Sequence, residues 1–180
     1  MKRTLCLILV TILALCFMPS CKKSTTDNSE PIPTTIGIGV GTIATNFVEN
    51  DPAELAYALE SYKGKVILIS FGAVWCPPCR AEAPHLVELH NSYQGRGLVI
   101  IQIIHQDLEG NPAGPDDLNG WINTYGLPFP VLSDPDYSTV TAYGINALPT
   151  NIVIDRDFAI RYRGEGYDAS AVQTAIDKYL

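Results

Sequence analysis

The chain has 180 residues, 47% of them hydrophobic and 17% charged, and a formal net charge of −7 at pH 7. That is enough apolar sequence for one domain with its own core. An acidic body gives no support to nucleic-acid binding, and solubility accounts for the charge.

The first residues are Met1-Lys2-Arg3, followed by an apolar run of 14 residues from Leu5 to Met18 and the small residue Ser20 before Cys21. A basic start and an apolar core too short for a spanning helix make a secretory leader over residues 1–20. The segment Met18-Pro19-Ser20-Cys21 resembles a bacterial lipoprotein signal, in which the cysteine is lipidated and becomes the first mature residue. The expectation is therefore an exported, membrane-anchored lipoprotein on the periplasmic side, with Cys21 as the lipidation site. Cys6 and Cys16 fall within the leader, so Cys21, Cys76 and Cys79 remain, too few for a structural disulfide framework. Residues 21–45 are rich in Lys, Ser, Thr, Pro and Gly without periodicity and read as a flexible tether. Ile36 to Gly41 superficially suggests a phosphate loop but lacks the strand, helix and lysine of one.

The folded domain is expected over residues 46–180. Asp51-Pro52 reads as the cap and first residue of a short helix through about Tyr62. Val66 to Phe71 is a buried strand, and leucines and charges at helical spacing predict a helix from the following cysteines to Tyr93, interrupted at Pro84. Gly97 ends that helix. Leu98 to Ile104 is an unbroken apolar run, the mark of a central parallel strand, so strand, helix and strand form a right-handed βαβ unit. His105-Gln106-Asp107 then lies at the carboxyl edge of the sheet, where open α/β sheets place their sites. A helix capped by Asp116 or Asp117 runs to Tyr125, and further short elements follow at 128–132 and 137–143. Asn151 to Ile154 and Phe158 to Arg163 form a hairpin, and Asp168 caps a closing helix.

Trp75-Cys76-Pro77-Pro78-Cys79-Arg80 occupies the turn from the first strand into its helix. A C-x-x-C pair can close a disulfide or supply half of a metal site. Pro77 and Pro78 fit the first helical positions and make Cys76 the N-cap. A thiolate there feels the positive end of the helix dipole, which draws its pKa toward neutrality and makes it a nucleophile. Cys79, one turn on and on the same face, is placed to resolve a mixed disulfide formed by Cys76. Each proline also removes a backbone donor from the Cys76 sulfur, which disfavours the thiolate and tilts the pair toward the reducing end.

From about Asn46 to Leu180 the chain resembles the thioredoxin superfamily, specifically the TlpA/ResA-like thiol-disulfide oxidoreductases. The resemblance rests on Phe71, Ala73, Trp75 through Cys79, Pro84, Gly97, Phe129-Pro130-Val131, and Leu148-Pro149-Thr150 before Asn151 to Asp155. It implies an α/β thioredoxin fold, a central mixed β-sheet with helices on both faces. It also implies a cis Pro149 facing the sulfurs, with Trp75, Pro77, Pro78, Leu148 and Pro149 contacting a substrate chain. Cytoplasmic thioredoxins carry a buried aspartate where this chain has Ser70, and some family members use a carboxylate at the position of Asp107; Asp107 is thus the expected proton acceptor for Cys79. The implied activity is reduction of protein disulfides, with apocytochrome c cysteines among the candidate substrates. A membrane electron donor and no cofactor or metal are implied, and a monomer is expected. Two other readings of the same fold are a copper-binding chaperone, with His105 beside the cysteines, and a thiol peroxidase, which would want Pro and Thr where Ile69 and Ala73 stand.

Overall fold

The computed structural model describes residues 30–180. The predicted leader, Cys21 and the first part of the predicted tether lie outside the described residues. In chain order the elements are β1 (Ile36–Gly37), β2 (Ile43–Ala44), β3 (Val48–Asn50), β4 (Ala56–Ala58), β5 (Val66–Gly72), α1 (Pro77–Tyr93), β6 (Leu98–Ile104), α2 (Pro115–Tyr125), β7 (Val131–Leu132), α3 (Ser138–Ala142), β8 (Thr150–Ile154), β9 (Ile160–Glu165) and α4 (Ala169–Tyr179).

Five strands form one sheet in the order β7-β6-β5-β8-β9. β5, β6 and β7 run parallel, while β8 is antiparallel to β5 and β9 to β8. The central strands β5 and β6 are uninterrupted apolar runs because both faces of the sheet are covered. Val66, Leu68, Leu98 and Ile100 point into a core with Leu86 of α1, Leu118 and Trp121 of α2, and Val172 and Ile176 of α4. Ile67, Ile69, Phe71, Ile101 and Ile103 point the other way, against Phe47, Leu59 and Tyr143 beside α3. The expected α/β thioredoxin fold, a mixed sheet with helices on both faces, is the fold observed.

Most local signals act as read. Gly97 takes φ 102° and turns the end of the α1 segment into β6, a conformation that costs glycine little. Asp168 caps α4 by accepting the Ala171 amide at 3.0 Å. Pro84 does not interrupt α1, which runs unbroken from Pro77 to Tyr93 with Ala83 and Leu86 fully buried on either side of it; packing holds the helix across the missing N–H. Neither Asp116 nor Asp117 is the α2 cap: Gly114 is, and Asp117 at the third helical position reaches back to its amide at 2.9 Å.

Two expectations are corrected. Residues 51–62 are not a helix. The Asp51 carboxylate accepts the amides of Ala53 at 2.8 Å and Leu55 at 3.0 Å, closing a turn that returns β4 antiparallel to β3, and only Leu59–Tyr62 coil into a 3₁₀ turn. A short carboxylate that can satisfy nearby amides outside a helix competes with helix initiation. The second concerns the tether. Residues 36–44 lie against the domain: Gly41 donates to Ile160 at 2.8 Å, Ile160 to Thr42 at 2.9 Å and Ala44 to Phe158 at 2.9 Å. Their backbone occupies polar groups at the start of β9 that an edge strand leaves open, and Ala44 is buried.

A chain begun at Asn46 should therefore unfold at lower urea than one begun at Glu30. The expected loss is about 2–4 kcal/mol, from the uncovered apolar groups and freed backbone pairs; equal midpoints would return residues 36–44 to the status of a tether.

Candidate active site

β5 delivers the chain to the carboxyl edge of the sheet, and the segment that follows β6 holds it there. The Val74 amide donates to the Gln106 carbonyl at 2.9 Å, and the Trp75 indole N–H to the Gln106 side chain at 2.9 Å. Cys76 is the N-cap of α1 in extended conformation, with prolines at the first two helical positions. As the two prolines require, the amide that reaches the Cys76 sulfur is that of Cys79, at 3.2 Å. Cys76 and Cys79 are joined as a disulfide with Cα atoms 5.3 Å apart, and both are buried. Gly72 packs beside the pair: a Cβ there would lie in ordinary contact with the Cys79 sulfur at 3.5 Å and tightly against Ile104 Cδ1 at 3.3 Å. Arg80 is held by its own loop, its Nε donating to the Val74 carbonyl at 2.8 Å.

The Leu148–Pro149 peptide bond is cis, and the Thr150 hydroxyl ties the loop before it by donating to the Ala147 carbonyl at 2.7 Å. Between this loop and the start of α1 lies a cleft of about 380 Å³ lined by Trp75, Cys76, Pro77, Pro78 and Leu148 among others. The structure thus gathers four of the five expected substrate-contact residues around Cys76, with Pro149 next in the chain.

Asp107 does not take the place expected of it. Its carboxylate accepts the amides of Glu109 at 2.9 Å and Asn111 at 2.8 Å and the Asn111 side chain at 3.1 Å, closing its own exposed loop. Slight desolvation raises its pKa, but those hydrogen bonds outweigh it and hold the carboxyl below its ordinary value. A group so occupied is an ordinary loop acid and a poor proton acceptor.

A buried carboxyl on the cysteine face of α1 is Glu82, for which the sequence raised no expectation. It lies one turn beyond Cys79 on α1, fully buried, and accepts the Ser70 hydroxyl of β5 at 2.9 Å and the Asn151 side-chain amide of β8 at 2.5 Å. Desolvation by burial raises its pKa from 4.5 to about 7, against the lowering effect of those two hydrogen bonds. Ser70, where a carboxylate was missed, is therefore the anchor for a carboxylate supplied by the helix. The available signal was spacing: a glutamate at i+3 from Cys79 shares its face, between two alanines. Among the described residues no group of three or more His, Cys, Asp or Glu side chains is arranged to hold a metal ion.

Because Glu82 binds its proton more tightly in the folded than in the unfolded protein, stability present below about pH 4.5 is lost as the pH rises through 7. Glu82→Gln should be roughly 3 kcal/mol more stable than wild type at pH 8 in denaturant titrations and gain nothing at pH 4.5. Residual pH dependence is expected from Glu49, whose pKa burial also raises to about 7.

Residues 40–163 match the AhpC/TSA family. The chain is similar to thiol-disulfide oxidoreductase ResA of Bacillus thuringiensis (strain Al Hakam), 34% identical over 118 residues, which are 66% of this chain and 65% of that protein. It is also similar to ResA of Geobacillus thermodenitrificans (strain NG80-2), 30% identical over 125 residues, 69% of this chain and 68% of that one. The chain thus spans about two thirds of the length of these relatives. Among solved structures, the exposed lipoprotein thioredoxin Etrx1 of Streptococcus pneumoniae strain TIGR4 superposes with a TM-score of 0.61 at 27% identity, covering 74% of this chain and 99% of that one. The thioredoxin domain of a thiol-disulfide oxidoreductase from Bacteroides vulgatus does so at 0.68 and 20% identity, covering 80% and 100%, a likeness of fold. With its closed Cys76–Cys79 pair at the head of α1, the chain belongs to the AhpC/TSA family and, within it, to the ResA-like thiol-disulfide oxidoreductases.

Proposed function

We propose that the protein is an exported, membrane-tethered reductase of protein disulfides, of the kind that serves cytochrome c maturation. The observation that carries the chemistry is the Cys76–Cys79 disulfide at a helix N-terminus, opening on a cleft beside a cis-proline loop. In the reduced protein the Cys76 thiolate attacks a substrate disulfide; the Cys76–substrate bond forms, the substrate bond breaks, and one substrate sulfur leaves and is protonated. Glu82 takes the proton of the Cys79 thiol, and Cys79 attacks the Cys76 sulfur. The second substrate sulfur departs as a thiolate and takes the proton from Glu82, two electrons have passed to the substrate, and the protein is left with its disulfide closed. A dithiol donor in the membrane restores it. Reduction is favoured over oxidation because the prolines leave the Cys76 sulfur the Cys79 amide as its backbone donor, and strong oxidants are those whose reduced form is stabilised.

Export rests on the basic start, the apolar run and Cys21, together with the lipoprotein character named for the similar pneumococcal thioredoxin. Cys21→Ser should release the protein from the membrane fraction; unchanged retention would point to an uncleaved leader as the anchor.

The pair should titrate at a potential nearer about −270 mV than about −120 mV, and a value above about −180 mV would sink the reductase reading. Insulin disulfides should be turned over without tight Cu(I) binding; the reverse pattern would favour the copper chaperone. Cys79→Ala should trap a mixed disulfide with substrate while Cys76→Ala forms none. In the wild-type background, Glu82→Gln should slow release of that mixed disulfide at pH 7 by about 10²-fold, with recovery as Cys79 ionises unaided at higher pH. Asp107→Asn should stay within about twofold of wild type across the same range.

A further inference from the structure

The carboxylate of Glu82 lies on the α1 face of the sheet, behind Cys79. The attacking Cys76 opens instead on the cleft, and among the described residues the one ionisable side chain lining that cleft besides the cysteine is His105. His105 follows Ile101 and Ile103 of β6 onto the opposite face of the sheet, its amide held by the Gly72 carbonyl at 3.2 Å. The residue is 6% exposed, and its Nδ1 is buried without a hydrogen-bond partner among the described residues. Unsatisfied buried ring nitrogens are costly and rare.

The groups around it suit a proton carrier. Tyr137 meets the imidazole edge-on with ring centroids 6.0 Å apart. Asp134, wholly buried, accepts the Val140 amide at 2.7 Å and the Thr139 amide at 3.3 Å. Glu49 of β3 stands behind it, accepting the Thr139 hydroxyl. Burial lowers the imidazole pKa, with the Gly72 carbonyl and the Asp134 charge pulling the other way, so the ring is neutral at pH 7 and a cation formed on it faces an anion. Cys76 in turn has need of a base, because Pro77 and Pro78 deny its sulfur two of the amides a helix N-terminus offers.

We propose that His105 is a catalytic residue of the exchange, taking the proton of the Cys76 thiol and returning it to the substrate sulfur that leaves. This rests on the oxidoreductase reading above. Cys76–SH and neutral imidazole become thiolate and imidazolium. The thiolate attacks, the Cys76–substrate S–S bond forms and the substrate S–S bond breaks, and the departing thiolate takes the imidazolium proton. His105 ends neutral, no external acid or base is consumed, and the electron pair goes to the leaving sulfur. Glu82 and His105 thereby serve the two cysteines from opposite faces of one sheet.

The test uses the reduced full chain and the variant His105→Gln with two disulfides between pH 5.5 and 9. The aryl disulfide 5,5′-dithiobis(2-nitrobenzoate) expels a thiolate stable at pH 7, whereas hydroxyethyl disulfide expels an alkyl thiolate that needs the proton. At pH 7 the variant should lose about 10²-fold on the alkyl disulfide and under about 10-fold on the aryl one, with both losses shrinking above the pKa of Cys76. Rates within about twofold of wild type on both, or an equal loss on both at every pH, would overturn the proposal. The ratio of the two losses is read on one preparation, so it does not depend on how much of the variant is folded. Failure of the wild type to reduce either disulfide would strike the oxidoreductase reading itself.

Discussion

A carboxyl group buried between a helix and a sheet is the constraint on which the site depends. Glu82 accepts a hydrogen bond from Ser70 of β5 and another from Asn151 of β8, so α1 is fixed in rotation and height over two adjacent strands. A buried polar group left without partners costs about 1–3 kcal/mol, which makes any other seating of the helix unfavourable. Cys79 stands one turn above on the same face and is thereby set against Gly72 at the end of β5. The polar row continues across the sheet, since Ser70 is in register with Gln102, whose oxygen receives the Trp121 indole N–H of α2 at 2.8 Å. Specificity of packing on this face is carried by hydrogen bonds as well as by apolar fit.

The same sheet separates two chemical environments. On the α1 face Glu82 is desolvated and, among the described residues, shares no ion pair, so its proton stays on to near neutrality. On the α3 face Glu49, Asp134 and His105 lie close together, and the turn into α3 is organised by Asp134 accepting two of its amides. The cysteines sit at the boundary, where β5 ends and α1 begins. The helix dipole favours a thiolate at Cys76, and the two prolines withdraw part of that support. A moderately stabilised thiolate beside a carboxyl that titrates near 7 suits reversible exchange at that pH better than a permanently ionised sulfur.

Much of this was legible beforehand. β5 and β6 could be read as buried parallel strands because neither shows the alternation of a half-exposed one, and α1 could be placed because two prolines and an N-capping sulfur leave one good start. The hairpin of β8 and β9 followed from its own turn. Asp51 misled because Asp-Pro starts both helices and tight turns, and pairing with β3 decided between them. Residues 36–44 misled because their composition is that of a linker, while what orders them is the open edge of β9.

The acid–base residues mark the limit most clearly. Asp107 and Glu82 are both carboxylates within reach, along the chain, of the carboxyl edge of the sheet. The local sequence of Asp107 supplies amides that close a loop around it, and the local sequence of Glu82 supplies nothing but helix. What the sequence by itself determined was the cysteine pair, its position at a strand-to-helix turn, and the fold those elements build, all of which depend on neighbours within one or two turns. Which carboxylate is desolvated, and which imidazole lines the cleft, was decided by the tertiary structure alone, because burial and hydrogen bonding to Ser70 and Asn151 arise between residues 12 and 69 positions apart.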